Sequence, residues 1–274
     1  MKPLKSILDF FLYSNLFISV CASAFTIETY LLVQSEINWL YILFVFASTF
    51  ALYNFQRLFY TGKTFGESKS VRHRWIFVQR KLLLILSAVA LTGIAILFFF
   101  FPLKFILWFS ILGLLSLSYF LPFTNLRSIP LVKAALVALV WTCITYYFPL
   151  LLNSLDAENW QEATSRFFFL LSLAVAFNIR DIEIDRKSAV KTLPVIFGEQ
   201  PTKILCVVFI LIFSLLVIFS GYNLKIQIGL LSSAVLTAIL IFTASETRSE
   251  YFYSLWLDGM ILLQAGLVFL ATNL

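Results

Sequence analysis

The stretch Asn178-Ile-Arg180-Asp181-Ile-Glu-Ile-Asp185-Arg186-Lys187, followed closely by Lys191-Thr-Leu-Pro, is the densest group of chemistry-bearing residues in the chain. Steps of three and four put Asn178, Asp181 and Asp185 on one helical face if a helix runs through them. Two carboxylates and an amide on a shared face suit a hard divalent cation. Mg²⁺ in particular takes one or two protein carboxylates and leaves the rest of its octahedron to water and phosphate oxygens. Arg180, Arg186, Lys187 and Lys191 are poor company for a bare cation but suit one that carries a polyanion. The chemistry so indicated is a metal-diphosphate site. The same residues also suit a solvated loop in which Asp and Arg neighbours pair for about 0–1 kcal/mol each, and spacing alone leaves both readings open.

The elements that must position these residues lie in a bilayer. The chain has 274 residues, 61% hydrophobic and 12% charged, with a mean hydropathy of +0.95, which excludes an ordinary soluble protein. A hydrocarbon core about 30 Å thick takes roughly 20 helical residues. By that measure the apolar runs predict nine transmembrane helices: Ile7–Val33, Ile37–Tyr60, Leu82–Phe101, Leu103–Leu121, Leu131–Leu152, Ala163–Ile179, Ile204–Ser220, Ile226–Ala244 and Leu255–Thr272. Continuously apolar runs exclude a barrel, whose strands would alternate. The expected architecture is all-α and multi-pass, with residues 1–274 forming a single transmembrane domain.

Basic loops are retained in the cytoplasm. With the N-terminus inside, all of the 20 lysines and arginines fall on the cytoplasmic side except Lys104, Arg166 and Lys225. The expected location is therefore the cell membrane, with a cytoplasmic N-terminus and an external C-terminus. The net charge of +6 is spread over several loops, so it reads as topology and not as a nucleic-acid footprint. Lys2, Lys5, an apolar run and Ala22-Ser23-Ala24 imitate a secretory signal, but the run continues to Val33, which favours a first helix. Cys21, Cys143 and Cys206 all fall inside apolar helices and read as packing residues. His73 is the lone histidine and sits in a basic loop, and there is no glycine-rich nucleotide loop, nucleophile elbow or Cys-x-x-Cys pair.

Charged or amide side chains inside helices need a reason, since a charge near the bilayer centre costs about 2.5–3.5 kcal/mol on insertion scales. Asn54, Gln56 and Arg57 close the second predicted helix, Asn178, Asp181 and Asp185 the sixth, and Asp258 opens the ninth. The predicted topology brings all three groups to the cytoplasmic surface. Glu28, toward the outer end of the first helix, reads as interfacial.

The run NIRDIEIDRKSAVKTL resembles the second aspartate-rich motif of the UbiA superfamily of intramembrane prenyltransferases, written N-x-R-D-x-x-x-D-R-K-x-G-x-x-T-L. Asn178, Arg180, Asp181, Asp185, Arg186, Lys187, Thr192 and Leu193 match, and Ala189 replaces the glycine. Tyr119-Phe-Leu-Pro122, with Arg127, Pro130 and Lys133, is similar to the family's loop between helices 4 and 5. The resemblance implies a nine-helix fold and Mg²⁺-dependent transfer of a prenyl group from an isoprenoid diphosphate to an aromatic or lipophilic acceptor. It implies metal binding by Asp181 and Asp185, and makes Arg127, Lys133, Arg180 and Lys191 candidate diphosphate contacts; Asn54, Asn178 and, by its chemistry alone, Arg57 are further candidates. The first motif departs from the family. Where N-D-x-x-D-x-x-x-D is usual, this chain reads Asn54-Phe-Gln-Arg57-Leu-Phe-Tyr-Thr-Gly, with no carboxylate until Glu67. A guanidinium at Arg57 is able to neutralise a phosphate oxygen; it equally suits a snorkelling anchor. The loss also keeps two rivals: a relative without chemistry that binds lipid or a partner, and a small-solute transporter.

Overall fold

The computed structural model describes residues 2–64, 71–118, 131–155, 160–187 and 190–274, and the side chains of all of these except 2–4, 59–64 and 117–118. Every regular element among them is helical. In lipid an unpaired backbone group has no water to turn to, and helices satisfy their own. Seven helices are long and apolar enough to span: Trp39–Leu58, Arg80–Phe98, Val132–Leu152, Trp160–Arg180, Glu199–Ile218, Leu224–Thr243 and Phe252–Asn273. A shorter apolar helix, Leu103–Ser116, lies in the fourth predicted span, the last residues of which are outside the described ones. The chain is an integral membrane protein.

The first predicted span differs from expectation. In place of one helix from Ile7 to Val33 there are two, α1 (Lys2–Tyr13) and α2 (Leu16–Leu32), bent by 61°. The break falls on Asn15, whose φ of 67° is left-handed, a conformation Asn tolerates better than most residues. It is held by polar pairing in the interior. Asn54, on α3 (Trp39–Thr64), donates to the freed Ser14 carbonyl at 3.0 Å and accepts from the Asn15 amide at 2.9 Å.

The loop predicted between the second and third spans contains a further helix, α4 (Val71–Val78), ahead of α5 (Arg80–Phe98). Trp75 of α4 meets Phe10 and Tyr13 of α1 edge-on, at ring-centroid separations of 6.0 and 5.9 Å. The bend in the first span thus carries α1 onto α4. After α6 (Leu103–Ser118), α7 (Val132–Thr142) runs through a π-helical turn, Cys143–Tyr147, into α8 (Phe148–Leu152). Such a turn leaves carbonyls without their usual partners. Tyr41 Oη reaches the Ile144 carbonyl at 2.6 Å and Thr29 Oγ1 the Thr145 carbonyl at 2.6 Å, so α3 and α2 satisfy what α7 gives up.

The second half consists of α9 (Trp160–Arg180), the short α10 (Ile182–Lys187) and α11 (Leu193–Phe197), then α12 (Glu199–Ile218), α13 (Leu224–Thr243) and α14 (Asp258–Asn273), the last entered through a second π-helical turn, Phe252–Leu257. Packed pairs run α3–α2, α2–α14, α14–α13, α13–α12, α12–α9 and α9–α7, and α2 also touches the Cys143–Tyr147 turn, closing the ring. Gly229 permits the α13–α14 approach, since a Cβ there would lie 3.3 Å from the Leu267 carbonyl oxygen.

Glu28 is also not where sequence placed it. It is 1% exposed, an interior residue and not an interfacial one. Arg166 of α9 donates to its Oε1 at 3.1 Å, and Gln264 of α14 donates to the same atom at 3.1 Å. Arg166 further holds the Phe25 and Thr145 carbonyls at 2.7 and 3.1 Å. The adjoining cavity, lined by Glu28, Glu162, Arg166, Tyr222 and Gln264 among others, has the size of about one water molecule. A prenyl donor or acceptor does not fit there.

Candidate functional site

Arg180 ends α9 and Asp181 is the turn that follows. The Asp181 amide donates to the Asn178 carbonyl at 3.2 Å, and the Asp185 amide to the Asp181 carbonyl at 2.8 Å. The helix is therefore interrupted at Asp181 and does not run through unbroken, yet the chain keeps turning and Asp181 and Asp185 stay one turn apart. Asp185 is 2% exposed and Asn178 4%. Arg180 grips Asp181 through two bonds, Nε to Oδ1 at 2.8 Å and a terminal nitrogen to Oδ2 at 3.1 Å. Burial pushes the Asp181 carboxyl up, but the Arg180 charge and its hydrogen bond, with Lys133 and Arg72, outweigh it and hold the pKa below 3.8.

The guanidinium of Arg180 also stacks on aromatic faces, 5.2 Å from the Phe177 centroid and 5.7 Å from Tyr253. Its other acid is Glu250, at 3.9 Å. Glu250 stands at the same distance from Arg72. Arg72 is buried; it donates to Ser254 Oγ at 3.1 Å and to Asn15 Oδ1 at 3.4 Å. Burial and the Arg180 charge push its pKa down to about 10, so it stays protonated at neutral pH. Arg57, on the last turns of α3, lies near enough to feel the charges of Arg72, Arg180 and Glu250. Asp258, at the start of α14, faces the charges of Arg72, Arg180 and Arg57. Arg180, Asp181 and Glu250 keep 21%, 23% and 26% of their side chains exposed, so the cluster is reachable from its end of the bundle.

The structure thus brings together Arg57, Lys133, Arg180, Asp181 and Asp258 from the ends of four helices, α3, α7, α9 and α14. Asn54 is buried beside them, but both of its N–H donors are spent on the Ser14 and Phe50 carbonyls, which makes it a brace of the helix break. Lys191 is exposed between α10 and α11, and Arg127 lies outside the described residues. Sequence reasoning missed Ser14, Asn15, Arg72, Glu250 and Ser254. The polar pair Ser14-Asn15 inside an apolar run was a signal; Arg72 and Glu250 have none in their local sequence.

Among the described residues, no three His, Cys, Asp or Glu side chains gather as a metal-binding group. Two carboxylates one turn apart beside arginines suit a Mg²⁺ shared with phosphate oxygens, and do not suit a metal caged by protein alone. Polyanion recognition is the chemistry this arrangement offers.

No protein-family model matches the chain. A digeranylgeranylglyceryl phosphate synthase of Sulfolobus acidocaldarius is 34% identical over 128 residues, which is 46% of this chain and 46% of that protein. The matched stretch thus spans less than half of the relative's length. Among solved structures, a UbiA homolog from Archaeoglobus fulgidus bound to GPP and Mg²⁺ superposes with a TM-score of 0.71 at 12% identity, over 97% of this chain and 100% of that one. A digeranylgeranylglyceryl phosphate synthase structure superposes with a TM-score of 0.59 at 14% identity, over 99% of this chain and 98% of that one. At these identities the likeness establishes the fold, which is that of the UbiA homologs.

Proposed function

We propose that this chain is a UbiA-superfamily prenyltransferase, a single nine-helix transmembrane domain that transfers a prenyl group from an isoprenoid diphosphate to an aromatic or lipophilic acceptor. The observation that carries this reading is the gathering of Asp181 with Arg180, Arg72, Arg57 and Lys133, one turn before Asp185, at one end of a bundle whose fold is shared with a homolog bound to GPP and Mg²⁺. The positive-inside distribution supports a cytoplasmic mouth for this site and a cytoplasmic N-terminus. The name of the Sulfolobus relative makes a prenylated glyceryl phosphate lipid one acceptor class to test alongside aromatic ones.

In the reaction the allylic carbon–oxygen bond breaks and the diphosphate departs with the electron pair. The acceptor's nucleophilic atom then bonds to the allylic carbon and loses its proton. Asp181 and Asp185 would hold Mg²⁺, which when bound withdraws charge from the leaving diphosphate. Arg180, Arg72, Arg57 and Lys133 stabilise the same developing charge from the protein side. Arg180 is pre-oriented by Asp181 and by the Phe177 and Tyr253 rings, so little reorganisation is left for the moment of bond breaking.

A second reading rests on the absence of carboxylates at the end of α3, where Arg57 stands: a relative that binds isoprenoid diphosphate without turning it over. Binding of an isoprenoid diphosphate panel to detergent-solubilised protein with and without Mg²⁺, followed by an acceptor screen, separates the two. Saturable, Mg²⁺-strengthened binding lost in Asp181→Ala/Asp185→Ala, with product formed, is the expected result. Binding without product for any acceptor favours the second reading, and no binding by folded protein sinks both.

A further inference from the structure

We propose that Arg72, together with Arg57 and Arg180, forms a guanidinium receptor for the diphosphate that supplies the positive charge a second divalent cation would otherwise carry, leaving one cation per bound diphosphate. The inference rests on the diphosphate reading above and adds to it an anion site on α4 and a metal stoichiometry.

The argument starts from what surrounds Arg72. A buried guanidinium needs acceptors, and commonly an acid at bonding distance. The closest acid to Arg72 is Glu250, at 3.9 Å, beyond hydrogen-bond length. Its hydrogen bonds go to a hydroxyl and an amide, Ser254 and Asn15, and its Nε has no partner. Its side chain is 8% exposed. The charge is oriented by neutral groups and left largely uncompensated by its own contacts.

The orientation is built from four separate segments. α4 presents Arg72. The bent α1 backs α4 through Phe10, Tyr13 and Trp75, and Arg72 lies 6.0 Å from the Tyr13 centroid. Tyr13 stacks on Tyr251, whose hydroxyl bonds Asp9, tying α1 to the entry of the last span. Asn15, at the helix break, and Ser254, in the π-helical turn, then fix the two terminal nitrogens. The helix break at Asn15 and the π-helical turn at Ser254 therefore both serve the placement of one guanidinium.

Arg72, Arg57 and Arg180 act on one another's charge, and like charges gathered in a partly dry site are relieved by a polyanion. The Arg72 fork keeps a donor, its Nε, that no protein acceptor among the described residues uses. The end of α3 has no carboxylate between Asn54 and Thr64, and among the described residues no three His, Cys, Asp or Glu side chains gather to hold a second cation.

Inorganic pyrophosphate is the probe, with Mn²⁺ standing in for Mg²⁺ so that bound metal is counted by electron paramagnetic resonance. The expected count is one Mn²⁺ per bound pyrophosphate, together with weak but saturable pyrophosphate binding in EDTA. Arg72→Gln should weaken pyrophosphate binding about ten- to hundredfold, with and without metal, and leave the metal count at one; Arg72→Lys should recover part of the loss. Arg57→Gln gives the same test if Arg72→Gln does not fold. Two metals per pyrophosphate, or no pyrophosphate binding in EDTA, or unchanged affinity in both folded variants overturns the proposal. Pyrophosphate binding is read without prenyl transfer, so failure of the transfer reaction with these results intact overturns the function alone.

Discussion

Two polar regions of the bundle, about 21 Å apart along α9 between Arg166 and Arg180, use arginine in opposite ways. At Arg166 the guanidinium is 2% exposed; it bonds Glu28 at 3.1 Å and two carbonyls, and lies 4.1 Å from the Phe25 centroid. Gln264 caps the same carboxylate, and Ser233 donates to Gln264 at 3.0 Å. The partners are close and the adjoining space is the size of a water. At the other region Glu250 stands off at 3.9 Å from both Arg72 and Arg180, and Arg180, Asp181 and Glu250 are partly open. A closed ion pair with its charges 3.1 Å apart serves to hold helices in register. An open, imperfectly matched one holds capacity for something else.

The largest effect that would break this contrast is at Arg166. Arg166→Ala leaves Glu28 buried without its cation and should cost about 3–5 kcal/mol, read as a loss of thermal stability in detergent, while the affinity of the surviving folded protein for isoprenoid diphosphate stays near wild type. A comparable loss of affinity would mean the two regions are one functional unit. Next is Asp181→Asn, expected to lower prenyl transfer by roughly 10²–10³-fold with only a small change in melting temperature; a large stability loss and intact turnover would reverse the assignment of the two regions.

Asn15→Ala comes third. It removes the bond to Asn54 and an acceptor for Arg72, and should destabilise by about 1–3 kcal/mol. Asn15→Gly keeps the left-handed backbone easy, so equal losses in both variants would identify the hydrogen bonds, and not the φ of 67°, as the cause. The smallest effect is with pH. The Asp181 carboxyl is held below 3.8 when folded. Its contribution to stability is therefore complete above the unfolded value and is lost as pH falls through the folded one. Acid unfolding of Asp181→Asn should lack that component; identical acid profiles would remove Asp181 from the charge balance.

The sequence made the membrane character, the helical class and the Asp181–Asp185 spacing legible because each rests on local periodicity: apolar runs of about 20 residues and carboxylates four apart. The resemblance to the UbiA motif was carried by the same short stretch, and the all-α bundle observed shares its fold with a UbiA homolog, with seven helices long enough to span among the described residues. The bend at Asn15 was not legible, because a polar pair in an apolar run breaks a helix only when something across the bundle receives its freed groups, and Asn54 does so from 39 residues away. Glu28 was misplaced for a related reason. Its distance from the end of an apolar run suggests an interface, while its partner, Arg166, is 138 residues distant.

What the sequence determined by itself is therefore the solvent in which the chain folds, its helical class and the one-turn spacing of Asp181 and Asp185. Only the tertiary structure decided that Arg72, from a helix read as a loop, lies close enough to Arg57 and Arg180 for their charges to act on one another, and that Arg166 is consumed by Glu28 and two carbonyls. The physical reason is that burial is cheap to anticipate for apolar side chains, which gain from any neighbour. A charge is accommodated only by particular partners at particular distances, and those partners are set by packing between segments far apart in the chain.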